Sequence, residues 1–359
     1  MYDLVIENKS ENQFIFHPRF HHLIPEIDRV LNTHQITGQF CLMSSGTTSN
    51  RPKGYALSFD SLMNSARAVN ERLNLTRQDR WGLTLPPYHI AGLSIYLRSL
   101  LLDQRQAVLH PWDPTTLASK IIQENVTVIS LVPTQIHDLV TQNIHAPKNL
   151  KAVLVGGDFF GDELEFRSKA LGWPVVRTFG MTEVASGLAL GGNLIDGLKT
   201  LPHHEIKVDD SKNIWVKSQS LFTCEFKLED KWQIKFPAAS FDDEGYYPLP
   251  DKAELTTDGM IPLGRNDESF KSSSHLISLA GLKNMLDRFM LENSCWGKMD
   301  FILTPDDRKG KILTLIYEEQ ISPEILLELD KTISPIRIEI KQKVSLLKKT
   351  ELGKTILVP

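Results

Sequence analysis

Two polar stretches carry residue types that could handle a nucleotide. The first, "MSSGTTSNRPKG" from Met43 to Gly54, packs hydroxyls and glycines ahead of Pro52-Lys53-Gly54. Backbone amides and hydroxyls in such a loop can wrap an anion, and one ammonium can neutralise it, which is what a triphosphate needs. The GxxxxGK[ST] pattern is absent, because Gly54-Tyr55 follows Lys53 where that pattern has a hydroxyl residue. Taken alone, the loop reads as readily as a Ser/Thr/Gly/Asn surface turn. The second stretch, "TFGMTEVASG" from Thr178 to Gly187, sets a ring, a glycine, hydroxyls and one carboxylate at the exit of an apolar run. Phe179 could stack on a base, and Glu183 could hold Mg²⁺ against phosphates. Without the rest of the pattern, Glu183 is a solvated residue at a helix start. Between the two lies "PPYHIAGLSIYLRS", which brings His89 and Arg98 to an apolar helix. A buried Arg98 needs an anion, since an unpaired guanidinium away from water is unfavourable. A substrate carboxylate would serve, and so would a nearby acid such as Asp103.

The elements that position these residues follow from the periodicity. From about Gln39 to Gly180 the strand candidates are "QFCLM", "WGLTLP", "QAVLH", "VTVISLVP", "KAVLVGG" and "PVVRTFG", and helix-period segments separate them. One such segment follows the Lys53 loop, with Leu62, Ala66, Val69 and Leu73 on one face and Ser58 as its N-cap; "DPTTLASKIIQEN" is another. The alternation predicts an α/β fold with a mainly parallel sheet. Ligands then sit at the carboxyl ends of the strands, where "SSGTTSNRPKG", "PPYH", "GGDFF" and "FGMTE" are expected to share one rim. Residues 206–250 change to short strands and turns, which predicts a small β subdomain. After Gly264-Arg265 the pattern "HLISLAGLKNMLDRFMLEN", the hairpin-like "MDFILTPDDRKGKILTLIYEE" and "SPEILLELDKTIS" predicts a small α+β domain.

The 359 residues, 41% of them hydrophobic, can build more than one core. A net charge of -4 gives no broad attraction for nucleic acid or for a membrane surface. Three scattered cysteines, Cys41, Cys224 and Cys295, argue against a disulfide framework or a zinc site. The most apolar longer stretch, "IAGLSIYLRSLLL", is interrupted by Arg98, and the N-terminus has no basic start before an apolar core. These features predict a cytoplasmic protein with no membrane insertion.

The order of motifs resembles the adenylate-forming acyl/aryl-CoA ligase superfamily, over about Cys41 to Lys354. Its phosphate loop reads SGTTGxPKG and its later signature YGxTE; here stand Ser45-Gly46-Thr47-Thr48, Pro52-Lys53-Gly54 and Phe179-Gly180-Met181-Thr182-Glu183. The resemblance implies a large adenylation domain, residues 1–264 and shortened at its N-terminus, and a small mobile C-terminal domain, residues 265–359. It implies ATP, Mg²⁺ and coenzyme A as reactants, with Thr48 and Glu183 toward the metal. Gly156-Gly157-Asp158 matches the turn that borders the adenine, although a strand ending in a glycine turn would look the same. "YPLPDKAELTTDGMIPLGRND" is similar to TGD...DG...GRxD, which places Asp251 on the ribose hydroxyls and Arg265 near the ribose or phosphate, makes Asp258-Gly259 a hairpin turn, and puts Asp267 at the hinge. "KKTELGK" resembles PKTxxGK and makes Lys354 the catalytic lysine.

Within the superfamily, His89, Gly92 and Arg98 match the H-(V/I)-S-G-x-x-x-x-x-R loop of the o-succinylbenzoate–CoA ligases of menaquinone synthesis, and "GMTEVAS" ends like theirs at Ser186. That implies a pocket for a small carboxylic acid at His89, Arg98 and Ser186. His89 alone is as well explained as a capping or packing residue. The loop carries one extra residue and Ser49-Asn50 in place of its second glycine; Leu249-Pro250, Ser274 and Lys348 depart from the pattern as well. The implied activity is formation of an acyl-adenylate from ATP and a carboxylate, followed by transfer to coenzyme A. The alternatives are another aryl- or acyl-CoA ligase, an adenylating enzyme serving a different thiol, or a nucleotide-binding protein without catalysis.

Overall fold

The apolar runs become the parallel strands of the large sheet, with one buried charge among them, Arg177, paired with Asp162 and Glu165. Trp81–Leu83, Ala107–Val108, Val128–Leu131, Ala152–Val155 and Val175–Met181 pair in parallel, as the alternation with helices predicts. Side chains alternate between two cores. Ile129, Leu131, Val153 and Val155 pack with Leu117, Ile121, Ile136 and Leu139 of the helices on one face, while Trp81, Leu83, Val128 and Leu154 pack with Val69 and Ile95 on the other. Both faces are covered, which is why these strands read as continuous apolar runs. The computed structural model describes residues 10–44, 52–158, 160–193, 197–257, 259–265, 269–272, 275–306, 310–334, 336, 338–347 and 355.

The parallel part ends at Met181. Only four residues separate it from the next strand, Ser186–Asn193, far too few for a crossover, so that strand returns antiparallel. Gly197–Thr200, Met260–Arg265, Tyr247–Leu255, Asn213–Ser218 and His204–Val208 extend the sheet in antiparallel fashion to eleven strands among the described residues. The sheet is therefore mixed, parallel over one half only.

A second sheet of five strands holds Gln13–Phe14, Phe40–Met43, Lys53–Leu57, Cys224–Leu228 and Trp232–Lys235. Phe40–Met43 and Lys53–Leu57 pair antiparallel with Met43 opposite Gly54, so the loop expected at the end of a parallel strand is the tip of a hairpin. Three of the four expected loops follow parallel strands of the large sheet; the fourth joins two strands of this other sheet, Phe40–Met43 and Lys53–Leu57. Gly54 is required by contact: a Cβ there would overlap the Leu42 carbonyl and the Phe226 ring. The stretch 206–250 supplies strands to both sheets and so links them, where a separate β unit was expected.

Helix starts follow the sequence signals. The Ser58 hydroxyl accepts the Ser61 N–H at 3.0 Å to cap Phe59–Arg72, which buries Leu62, Ala66 and Val69; Asp113 and Ser322 cap Pro114–Gln123 and Pro323–Ile333. Helix Leu279–Glu292, the hairpin Met299–Asp306/Gly310–Glu318, helix Pro323–Ile333 and strand Ile340–Val344 enclose their own core of Leu282, Leu286, Phe289, Phe301, Leu313 and Leu329. No described helix is long and apolar enough to cross a membrane.

Candidate active site

Glu183 lies on a single 3-10 turn, Thr182–Val184, between the last parallel strand and the first antiparallel one. The reversal is tight. Ala185 and Ser186 take positive φ of 53° and 100°, and a Cβ on Gly180 would overlap the Ser186 carbonyl. Glycine at 180 is thus fixed by close approach of the two strands. The turn aims Glu183 at the second sheet, where Tyr55 donates its hydroxyl to Glu183 Oε1 at 2.7 Å. The Phe222 N–H donates to the Glu183 carbonyl at 3.0 Å, and the Phe222 ring meets the Tyr55 ring edge-on at 5.1 Å. Burial, together with the negative charges of Glu183 and Glu225, pushes the Tyr55 phenol far above its ordinary pKa, so it stays protonated and donates.

Lys53 and Tyr55 share a face of their strand because side chains repeat every two residues. The Lys53 ammonium sits 5.0 Å from the centre of the Tyr55 ring and pairs with Glu225 Oε2 at 2.7 Å. The lysine of the phosphate-loop motif and the carboxylate of the Thr182-Glu183 motif, 130 positions apart in the chain, are joined through one tyrosine.

Gly156, Gly157 and Asp158 follow strand Ala152–Val155. A Cβ on Gly156 would lie 2.7 Å from the Thr178 carbonyl oxygen, and Gly157 has φ of 86°, so this turn presses against the start of the Phe179-Gly180 segment. Phe179 is half-buried, and the ladder is irregular between it and Gly180. Asp251 and Arg265 face each other directly in the antiparallel pair of strands Tyr247–Leu255 and Met260–Arg265, Asp251 buried and Arg265 exposed. Directly opposite residues share a sheet face, so the two can meet one ligand.

His89 precedes helix Ile90–Leu101 as its N-cap residue but makes no side-chain cap bond; its ring lies 4.9 Å from that of Tyr88. Gly92 lets the first turn of this helix press on the Pro86 carbonyl. Arg98 is buried, 3% exposed, with its guanidinium 5.1 Å from the Trp81 ring. Its Nη2 donates to Ser186 Oγ at a long 3.4 Å, Ser186 Oγ donates to Ser94 Oγ at 3.5 Å, and its Nε has no partner. Asp103 does not pair with it: no described carboxylate forms an ion pair with Arg98. Burial alone lowers its pKa to about 9.

Ser45, Gly46, Thr47, Thr48, Asp267, Ser274 and Lys354 lie outside the described residues. The structure brings Lys53 together with Glu183, Gly156 with Thr178, Asp251 with Arg265, and Arg98 with Ser186. Sequence reasoning missed Tyr55, Glu225 and Ser94. The period of a strand starting at Lys53 could have pointed to Tyr55; Glu225 and Ser94 come from distant segments that nothing in the local pattern connects to the site.

Residues 39–219, from the second sheet through the Glu183 turn to the antiparallel strands, match the profile of the AMP-binding enzymes. The chain belongs to the AMP-binding enzyme family. A 2-succinylbenzoate–CoA ligase of Lactococcus lactis is 29% identical to this AMP-binding protein over 298 residues, covering 79% of the chain and 62% of the relative. One of Bacillus velezensis is 27% identical over 320 residues, 80% of the chain and 64% of the relative. The chain thus spans less than two thirds of the length of these curated relatives. Among solved structures, o-succinylbenzoate CoA synthetase from Bacillus subtilis, in complex with its acyl-adenylate intermediate, superposes with a TM-score of 0.74 at 23% identity, covering 88% of this chain and 67% of that one. An anthranilate CoA ligase in complex with anthranoyl-AMP gives 0.72 at 15% identity, over 96% and 76%. Both likenesses establish the fold.

Proposed function

We propose that this AMP-binding enzyme is an ATP-dependent acid–thiol ligase that joins o-succinylbenzoate to coenzyme A through an acyl-adenylate. The observation that carries the substrate reading is Arg98: a buried guanidinium beside Ser186, with an unpartnered Nε and no carboxylate partner among the described residues. A dicarboxylate whose succinyl end is activated would bring its aromatic carboxylate to that cation. The curated relatives named above support the same choice.

Residues 1–264 would hold the adenylation chemistry and 265–359 would turn between the two half-reactions about Asp267. Catalysis in this reading is positioning and charge neutralisation. Ser45, Gly46, Thr47, Thr48 and Lys53 would hold the β- and γ-phosphates, Gly156 to Asp158, Phe179, Gly180 and Thr182 the base, Asp251 and Arg265 the ribose, and His89 the acyl pocket. Lys354 would stabilise the charge that develops at the α-phosphate. The Glu183 carboxylate suits a hard divalent cation, with Oε1 steadied by Tyr55 and Oε2 without a hydrogen-bond partner among the described residues. Mg²⁺ bound there, with Thr48 near it, would neutralise phosphate charge. Cytoplasmic placement accords with these small soluble reactants.

The test is AMP release by the purified protein with ATP, Mg²⁺ and coenzyme A. Release with o-succinylbenzoate supports the reading. Release only with a simple monocarboxylate would remove the substrate and keep the ligase. No ATP–pyrophosphate exchange with any acid in a panel would leave a nucleotide binder.

A further inference from the structure

We infer that Tyr55 is a positioning residue for the metal-binding carboxylate: its hydroxyl fixes Glu183 Oε1 and so presents Oε2 to the cation that accompanies ATP. The inference rests on the ligase reading above.

Four observations carry it. The Tyr55 hydroxyl donates to Glu183 Oε1 at 2.7 Å, the short distance expected when the acceptor is charged. The phenol has no freedom to leave, since Tyr55 is 2% exposed and wedged against Phe222, which itself abuts Tyr247 at 5.2 Å. Glu183 stands on a turn of three residues with no longer helix to hold its side chain. Finally, the Lys53 ammonium lies over the same ring, so the phenol fixes one spacing between a cation meant for phosphate and a carboxylate meant for metal.

A carboxylate that swings between rotamers must be ordered each time a metal binds, and that loss of side-chain freedom opposes binding. A hydroxyl already bonded to Oε1 removes that term before the ligand arrives. A merely structural tyrosine would matter to stability and not to the metal.

The experiment is electron paramagnetic resonance titration of Mn²⁺ into the protein with ATP and no acid, for wild type and Tyr55→Phe, together with ATP affinity measured in EDTA. The variant keeps the ring and deletes the hydroxyl. We expect Mn²⁺ to bind about five- to tenfold more weakly to Tyr55→Phe, with metal-free ATP affinity within twofold of wild type, and in turnover the Mg²⁺ requirement to rise more than kcat falls. Glu183→Asp, one methylene short of the hydroxyl, removes the contact from the other side, so the cycle of the two substitutions isolates it. In the Glu183→Asp background, Tyr55→Phe should add less than twofold. Equal Mn²⁺ affinity in wild type and Tyr55→Phe overturns the assignment, as do independent, multiplicative effects of the two substitutions. Wild type that binds no Mn²⁺ with ATP overturns the ligase reading itself, and this one with it.

Discussion

A guanidinium taken out of water without an acid beside it is held at considerable expense in solvation, and Arg98 is in that position. Its neighbours are Ser186 at 3.4 Å and the face of Trp81, and neither supplies the missing charge. The aromatic carboxylate of the proposed substrate would. Truncating one partner of a desolvated ion pair costs roughly 2–5 kcal/mol, so Arg98→Ala should lower kcat/KM for o-succinylbenzoate by about 30-fold or more. An analogue lacking the aromatic carboxylate should be little affected. Steady-state kinetics on both compounds checks this, and equal slowing would make Arg98 a structural residue. The sequence exposed Arg98 because a lone charge in an apolar helix is conspicuous. It did not expose Ser94 or Tyr55, because a serine or a tyrosine in a half-buried element has many uses and the decisive partner lies in another segment. Asp103 was the reasonable local partner on spacing, but it lies beyond the helix end with φ of 56° and does not form the pair.

At the scale of elements, the strand Lys53–Leu57 and the strand Ser186–Asn193 each carry one side of the site, and each is held by a polar contact that can be tested. Lys53 is paired with Glu225 across the sheet, and a triphosphate bound as proposed would compete for the same ammonium. A partly exposed pair is worth about 0.2–1 kcal/mol, so Glu225→Gln should tighten ATP by about twofold to fivefold; calorimetry on the variant gives the answer, and weaker binding would make Glu225 part of the nucleotide site. Strand Ser186–Asn193 is pinned by His204. Its Nε2 donates to the Gly187 carbonyl at 2.8 Å, which leaves Nδ1 to accept from Ser218 Oγ at 2.8 Å, and the ring is neutral. Burial lowers its pKa to about 4, and the adjoining His203 is lowered in the same direction, by burial and by the charge of His204. An unfolded histidine titrates near pH 6.5. The unfolded chain therefore binds protons first as pH falls, and stability drops between about pH 6.5 and 4 by on the order of 3 kcal/mol for His204. Thermal melts across that range should show the fall, and His204→Gln should flatten it. The helix caps and parallel strands were legible because their signals are local. The hairpin that carries the phosphate loop was not, since an apolar run of five residues fits either sheet and only long-range pairing decides.

For the molecule as a whole, the question is what holds the C-terminal core against the core of the large sheet. The helix Leu279–Glu292 lies against strand Met260–Arg265 and helix Asp162–Ala170. Beyond the helix end, Trp296 packs into both hydrophobic clusters and stacks on His137 with 5.1 Å between ring centres and 13° between planes. Trp296 is the described residue that packs against both clusters, whose buried residues are otherwise distinct. If residues 265–359 turn as proposed, this stack is a contact that must open, and it should be worth only a modest amount: an aromatic pair contributes about 0.5–1.5 kcal/mol beyond its buried area. Trp296→Ala should therefore uncouple the cores without unfolding either. Calorimetry should resolve one thermal transition for the wild type into two for the variant, and small-angle scattering at low temperature should show a larger radius of gyration. A single transition merely shifted to lower temperature would mean that the strand and helix contacts, and not Trp296, join the two cores. Because the described contacts of Trp296, with His137 and the apolar residues of the two clusters, involve none assigned to ATP or acid, ATP–pyrophosphate exchange in the variant separates the two effects: loss of coupling should leave nucleotide affinity intact while altering the balance between exchange and coenzyme A ester formation.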